Sequence, residues 1–321
     1  MRPTTKLQEL FNRKGRVIIG AVVGCALDAR IIEMTGYEVA HISGAMTAAT
    51  VYGLPDAGLI TATEMIDNAR RIASCVKIPV ICDADQGFGN AINVRRTVQE
   101  FIRAGVAGIH IEDQPFPKRC GFVKGKQIIS FEEAVGKYKA AVDAKNELDP
   151  DFVIIARCDA RGTVGGSVEE VIRRLRAYKE VGVDVVYPEA LLSREEIRQV
   201  RAAVDGPMFC TLGFIQPPAT PDELVSLGLS LWPEFGMIQA RVQAYWEFAN
   251  DFKVRGTQAH DAWEKHAWNH PVPHTFDLVG FPEVAEAEEK YLPVEWLAKY
   301  EGSRGLYEPR KDKRTEPQKP F

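Results

Sequence analysis

The stretch AGIHIEDQPFPKRCG at 107–121 carries the densest chemistry in this chain. An apolar run ends in two adjacent carboxylates, Glu112 and Asp113, and a short turn leads to Lys118, Arg119, Cys120 and Gly121. A cysteine beside two cations is expected to have a depressed pKa, because nearby positive charge favours the thiolate. Carboxylates at a strand end, facing a loop with a poised proton carrier, are what metal-assisted acid/base chemistry needs. A surface loop with a chance cysteine reads the same way, so the motif depends on its context.

Other segments supply candidates for that context. Asp83 and Asp85 stand at i and i+2 before a glycine-rich turn, QGFGN. Such a pair can reach one divalent cation, one carboxylate directly and one through water, and magnesium favours a site with few protein ligands. The same pair could equally cap the next helix. Arg157, in RCDAR, suits a bidentate grip on a carboxylate, or an internal ion pair with Asp159 or Glu189. Ser43, Gly44 and Ala45 offer a hydroxyl and backbone N–H groups, or form a simple turn. Histidines fall at 260, 266, 270 and 274. His266 and His270 have the i,i+4 spacing of metal ligands, but no H-E-x-x-H glutamate lies between them and Pro271 ends the helix. Surface or interface histidines are the expectation.

The elements that must position these groups alternate along the chain. Strands are expected at 17–20, 38–43, 78–83, 107–112, 152–157, 184–188, 207–210 and 229–232, several of them continuously apolar like parallel strands covered on both faces. Between them, capping-box spacings occur at Thr61/Glu64, Ser130/Glu133, Ser167/Glu170, Ser193/Glu196 and Thr220/Glu223. Gly36, Gly105, Gly182 and Gly228 stand where a left-handed C-cap is wanted. The rhythm predicts a (β/α)8 TIM barrel, with a doubly wound open sheet as the alternative. Ser43, Asp83, Asp85, Glu112, Arg157, Asp159 and Glu189 all fall at C-terminal strand ends, the face where barrels build active sites. The barrel is expected over 1–252. Residues 253–321 read as an extension of the same domain, with helices at 258–268 and 283–291 and a charged, Pro-rich tail at 308–321.

Hydrophobic residues make up 45% of the 321 and charged residues 26%, and the net charge is −4. That balance gives no reason to expect nucleic acid or an anionic membrane as partner. No apolar run approaches a membrane span, and the N-terminus lacks a secretion signal. Six cysteines without C-x-x-C spacing suggest neither a disulfide framework nor a zinc knuckle, so a reduced, cytoplasmic protein is expected.

Taken together, HISGAM (41–46), GLPDAGLIT (53–61), DADQGFGN (83–90), GIHIEDQPFPKRCG (108–121), IIARCDA (154–160), VVYPEA (185–190) and LVGFPEVAEAEEKYLP (278–293) resemble the isocitrate lyase/phosphoenolpyruvate mutase superfamily, nearest its methylisocitrate lyase and dimethylmalate lyase branch. The resemblance implies a (β/α)8 barrel whose last helix is exchanged between subunits of a homotetramer. It implies that Asp83 binds Mg2+ (or Mn2+) directly, while Asp56, Asp85 and Glu112 hold the metal's waters. Cys120 would be the acid on a mobile gating loop. Arg157 and the Ser43-Gly44 pair would grip substrate carboxylates, with Glu189 lining the pocket. Ala45, Lys118, Arg119, Gly121 and Thr211 complete the candidate substrate contacts.

Three positions depart from the tricarboxylate lyases. Phe122 follows Gly121 where histidine is usual, Thr211 replaces an asparagine, and Arg241 lies three residues later than the arginine that holds a third carboxylate. Phe122, Leu212, Phe214 and Trp232 suit a less charged substrate, since a pocket cannot hold an unpaired carboxylate cheaply. The expected activity is therefore Mg-dependent cleavage of a substituted 2-hydroxy dicarboxylate to a 2-oxo acid and a carboxylic acid. The alternative is an oxaloacetase-type hydrolase or an oxaloacetate decarboxylase. A phosphonate mutase is disfavoured because those enzymes lack the loop cysteine.

Overall fold

The computed structural model describes residues 1–213, 215–267, 270, 275–301, 303, 304, 307 and 309. Phe214, Trp268, His274 and all of the 308–321 tail except Pro309 lie outside the described residues. Contacts divide the chain into two compact units, Met1–Ile238 and Gln239–Phe321.

The first unit is built on a curled parallel sheet of seven strands: β1 (Ile18–Val23), β2 (Val39–Ile42), β3 (Val80–Asp83), β4 (Gly108–Glu112), β5 (Val153–Cys158), β6 (Val185–Pro188) and β7 (Leu231–Glu234). They pair in the order β6-β5-β4-β3-β2-β1-β7. The expected strand at 207–210 is reduced to single bridges, Met208 with Val186 of β6 and Phe209 with Leu231 of β7. Phe209 N–H donates to Val186 O at 2.9 Å and Ser230 N–H to Met208 O at 2.8 Å. Past these bridges the next residues in register on the neighbouring strands are Pro188 and Pro233, which have no N–H to give, and the ladders stop. The two ends of the sheet are thus tied to one short segment, an arrangement consistent with a TIM-like barrel.

Side chains alternate across the strands, as a period of two requires. Val153 and Ile155 of β5 join Ile18, Val39, Ile81, Val185, Tyr187, Phe209 and Leu231 in an inner cluster, whereas Ile154, Ala156 and Cys158 pack with the helices outside. An N-terminal helix, Pro3–Asn12, contributes Leu7 and Phe11 to the inner cluster. The five capping spacings all form N-caps, Thr61 with Glu64 as a reciprocal box. Gly36, Gly105, Gly182 and Gly228 take φ between +73° and +99°, the left-handed stops their positions called for.

The second unit is helical, with helices at Thr257–Ala267, Thr275–Leu278, Phe281–Tyr291 and Val294–Leu297. It is joined through the long helix Gly236–Arg255, which buries none of its residues within the chain. His260, His266 and His270 are exposed. No described helix is long and apolar enough to cross a membrane.

Where β4 meets β5, a Cβ at Gly108 would lie 2.7 Å from Val153 O and 3.2 Å from Leu7 Cδ2. Gly108→Ala is expected to destabilise the fold by about 1–3 kcal/mol, the usual cost of overpacking. Urea unfolding checks this, and an unchanged midpoint would show that the Leu7 helix packs loosely there.

Candidate active site

The polar groups of the rim come from the C-terminal ends of β2 to β6. Asp83 closes β3, and Asp85 follows with φ +47°, a left-handed conformation uncommon for a non-glycine residue. Asp85 N–H donates to Asp83 Oδ1 at 2.9 Å, and Gly44 N–H donates to Asp83 Oδ2 at 3.1 Å. A Cβ at Gly44 would sit 2.9 Å from Asp83 Oδ2 and 3.2 Å from Asp85 Oδ1, so the turn after β2 closes on the carboxylates only as glycine. Ser43 Oγ accepts the Met46 N–H and caps the short helix Gly44–Thr47, which also holds Ala45. From outside, Asp56 completes the group through Lys118, whose Nζ is 2.5 Å from Asp56 Oδ1 and 2.9 Å from Asp85 Oδ1.

Across from these, Glu112 ends β4 with its Oε2 3.2 Å from Arg157 Nη1. Arg157, near the end of β5, donates through Nε and Nη2 to the two oxygens of Asp159, each at 2.9 Å, and its guanidinium lies over the Tyr187 ring. Thr211 hydroxyl donates to Glu189 Oε2 at 3.1 Å. Glu112 Oε1 and Glu189 Oε1 are buried without a hydrogen-bond partner.

Burial and neighbouring charge set the protonation of this rim. Burial raises the Asp83 pKa, but His110, Lys118 and Arg157 outweigh it and hold the carboxyl well below its ordinary range. Burial pushes Asp85 up to about 7, against the pull of Lys118 and with the push of Asp83. Glu112 is driven well above its usual range by burial despite Arg157. A cluster of hard oxygen donors in which burial disfavours the charge of two carboxyls, one with an unpartnered oxygen, fits a divalent cation. Among the described residues no three His, Cys, Asp or Glu side chains converge as a direct chelate. A cation here would therefore be held by few protein oxygens and by water, the pattern of magnesium.

The loop between Asp113 and Ser130 lies on this rim. A Cβ at Gly121 would stand 2.7 Å from both Arg157 Nη2 and Glu189 Oε1, so the loop backbone rests directly on that pair. Lys118 points in, to Asp56 and Asp85, whereas Arg119 Nη1 reaches Lys124 O at 3.3 Å along the loop itself. Cys120 overturns the expectation drawn from its sequence neighbours. Burial pushes its thiol up to about 11, and Asp56 adds to the rise, against the opposing hydrogen bond from the Phe122 backbone and the weaker pull of Lys118. That direction favours the thiol over the thiolate at neutral pH. Phe122 packs on Phe235, with ring centroids 5.7 Å apart, and over Gly213, where a Cβ would be 2.6 Å from its ring. Trp232, expected in this pocket, packs instead with the layer between strands and helices, because it alternates with inward-facing Leu231. Phe235 takes the place beside Phe122.

The two adjacent carboxylates of the motif also separate. Glu112 faces the rim, and Asp113 turns to the opposite side, as successive strand residues do. There Asp113 Oδ1 accepts the Asp159 N–H at 2.8 Å, and Oδ2 accepts the Tyr178 hydroxyl at 2.8 Å and Arg174 Nη1 at 3.2 Å. Beneath Asp83, His110 Nδ1 is 3.5 Å from Asp83 Oδ1, and its Nε2 is 2.9 Å from His41 Nε2 in the strand interior. Sequence reasoning missed His41, His110, Lys126 and Tyr178. The two histidines carried a usable signal, being polar residues inside otherwise apolar strands.

The family profile described as phosphoenolpyruvate phosphomutase matches residues 23–231. The chain is 35% identical over 304 residues to 2,3-dimethylmalate lyase of Eubacterium barkeri, covering 91% of this chain and 99% of that protein. It is 37% identical over 309 residues to 2-methylisocitrate lyase of Aeropyrum pernix, covering 94% and 96%. A crystal structure of 2,3-dimethylmalate lyase superposes with TM-score 0.83 at 30% identity, covering 95% of this chain and 99% of that one. A structure of oxaloacetate acetylhydrolase with 3,3-difluorooxalacetate gives 0.80 at 32% identity, covering 90% and 96%.

The protonation of Cys120 is directly measurable. Iodoacetamide labelling of this thiol is expected to be slow at neutral pH and to keep rising as pH approaches about 11. A rate already at plateau at neutral pH would mean that Lys118 and Arg119 stabilise a thiolate after all.

Proposed function

This chain belongs to the phosphoenolpyruvate mutase/isocitrate lyase superfamily of enzymes, and on that footing we propose that it is a magnesium-dependent lyase that cleaves the carbon–carbon bond of an alkyl-substituted 2-hydroxy dicarboxylate. The observation that carries the proposal is the placement of Cys120, a protonated thiol on a loop that rests on Arg157 and Glu189.

Asp83, Asp85, Glu112 and Asp56 are the residues that would hold the cation. When bound, magnesium supplies Lewis-acid stabilisation of charge on the substrate's oxygens. Arg157 donates two N–H groups to Asp159 and pairs with Glu112 through Nη1, which fixes its plane and leaves N–H groups for a substrate carboxylate. Gly121 and the rest of the loop exclude water above that carboxylate. As the carbon–carbon bond breaks, the 2-hydroxyl becomes the carbonyl of the 2-oxo acid and its proton passes to Glu189, whose buried Oε1 has no hydrogen-bond partner. The electron pair stays as a carbanion on the departing carboxylic fragment, and the Cys120 thiol gives it a proton. Thr211 holds Glu189 Oε2 and so keeps Oε1 toward the loop. Phe122 and Phe235 present an apolar wall to the substituent. A methyl or ethyl group there gains roughly 0.8 kcal/mol per buried CH2, whereas a carboxylate against the same rings is strongly disfavoured.

A further part of the reading is a cytoplasmic homotetramer, and the exposed Val242, Tyr245 and Trp246 of the Gly236–Arg255 helix support only that this region is covered by a neighbouring subunit.

Two experiments test the proposal. With saturating magnesium, kcat/KM for 2,3-dimethylmalate is expected to exceed that for 2-methylisocitrate, and a clear preference for the tricarboxylate would show that a cation serves the position assigned to Phe122 and Phe235. Cys120→Ser is expected to keep the fold and lower turnover by about 10²–10⁴-fold, the usual share of a general acid. Turnover within a few-fold of wild type, with cleavage of oxaloacetate to oxalate and acetate, would favour the hydrolase instead.

A further inference from the structure

The Cys120 loop buries two lysines, one on each side of the cysteine. Lys118 lies among the rim carboxylates. Lys126, on the far side of Cys120, is 6% exposed, and its Nζ stands 3.2 Å from Asp159 Oδ1. Its slot is opened by Gly162, where a Cβ would come within 2.5 Å of Lys126 Cε and 2.6 Å of Nζ. Asp159 is the carboxylate that grips Arg157 through two hydrogen bonds and is itself fixed by Asp113 through its backbone N–H. Five residues before Lys126, Gly121 presses on Arg157 and Glu189. One carboxylate therefore anchors both the loop and the arginine beneath it.

An ammonium is costly to bury without a counter-charge, so Lys126 has two favourable places, in its slot against Asp159 or out in water. We propose that Lys126 is a positioning residue, a latch that holds the Cys120 loop shut on Asp159 and couples the placement of Cys120 to the orientation of Arg157. The barrel does not need it, because Asp159 keeps both bonds to Arg157 when the lysine leaves. The latch does not depend on which bond the enzyme cleaves, and its effect on turnover rests on the lyase reading.

The test reads the loop directly. In the full-length protein at one mildly alkaline pH, iodoacetamide labelling of Cys120 is followed by peptide mass spectrometry, with Cys25 and Cys75 in the same digest as references. Lys126→Met is expected to raise the Cys120 rate at least about tenfold, since breaking one side of a buried ion pair is strongly unfavourable, and to leave Cys25 and Cys75 unchanged. Lys124→Met makes the same charge change at an exposed position of the same loop and is expected to have no effect. Gly162→Ala crowds the slot without removing the charge and is expected to raise the Cys120 rate as well, which decides the matter if Lys126→Met folds poorly. A Cys120 rate within twofold of wild type in the folded variants overturns the proposal, as does an equal rise at all three cysteines. Because no substrate is used, a latch that fails here leaves the lyase reading standing, and the reverse also holds.

Discussion

Everything at the rim of this sheet depends on holding several buried carboxylates beside a fixed guanidinium. Asp83, Asp85, Glu112 and Asp159 are all at most 6% exposed, and Arg157 and Lys118 are buried with them. Desolvating charges costs several kcal/mol per ion, and attraction to a partner offsets that only where the geometry is good. The geometry here is good on one side and incomplete on the other. Arg157 and Asp159 form a two-bond fork, and Asp83 accepts two backbone N–H groups. Asp85 and Glu112 are instead pushed toward their neutral forms by burial. That imbalance is what a divalent cation would correct.

The remainder of the first unit serves to keep these groups in place. Behind Arg157, Tyr138 hydroxyl lies 2.8 Å from Arg157 O, while Asp113, Tyr178 and Arg174 fix the backbone of Asp159. Below Asp83, the His41–His110 pair carries the polar network into the strand interior, where Phe209 packs edge-on to both rings. Burial pushes His110 down to about 4, so it is neutral at physiological pH, and its Nδ1, 3.5 Å from Asp83 Oδ1, makes no hydrogen bond. The glycines at 44 and 121 matter for a steric reason, since each lets backbone approach a charged side chain where a methyl group would collide.

Much of this was legible in the sequence, because strand ends and helix caps are local features. All five capping serines and threonines cap the helices they were expected to begin. What was not legible depends on which side of a strand a residue faces and how deeply it is buried. Asp113 and Glu112 are neighbours in sequence but face opposite ways, and Trp232 yields its place to Phe235 for the same reason. Cys120 was misjudged because burial raises its thiol by more than Lys118 lowers it, while Arg119 points along the loop. The segment 207–210 reads as a full strand, yet makes only single bridges because the next residues in register on its neighbours, Pro188 of β6 and Pro233 of β7, have no N–H to donate.

The central claim is that the carboxylates around Asp83 form a magnesium site whose direct ligand is Asp83. Calorimetric titration of magnesium into the chelator-treated protein, beside its Asp83→Ala variant, tests it without recourse to any substrate. The account requires saturable binding by the wild type and none by the variant, with both remaining folded. Equal binding by the two proteins, or no binding by either, would contradict it.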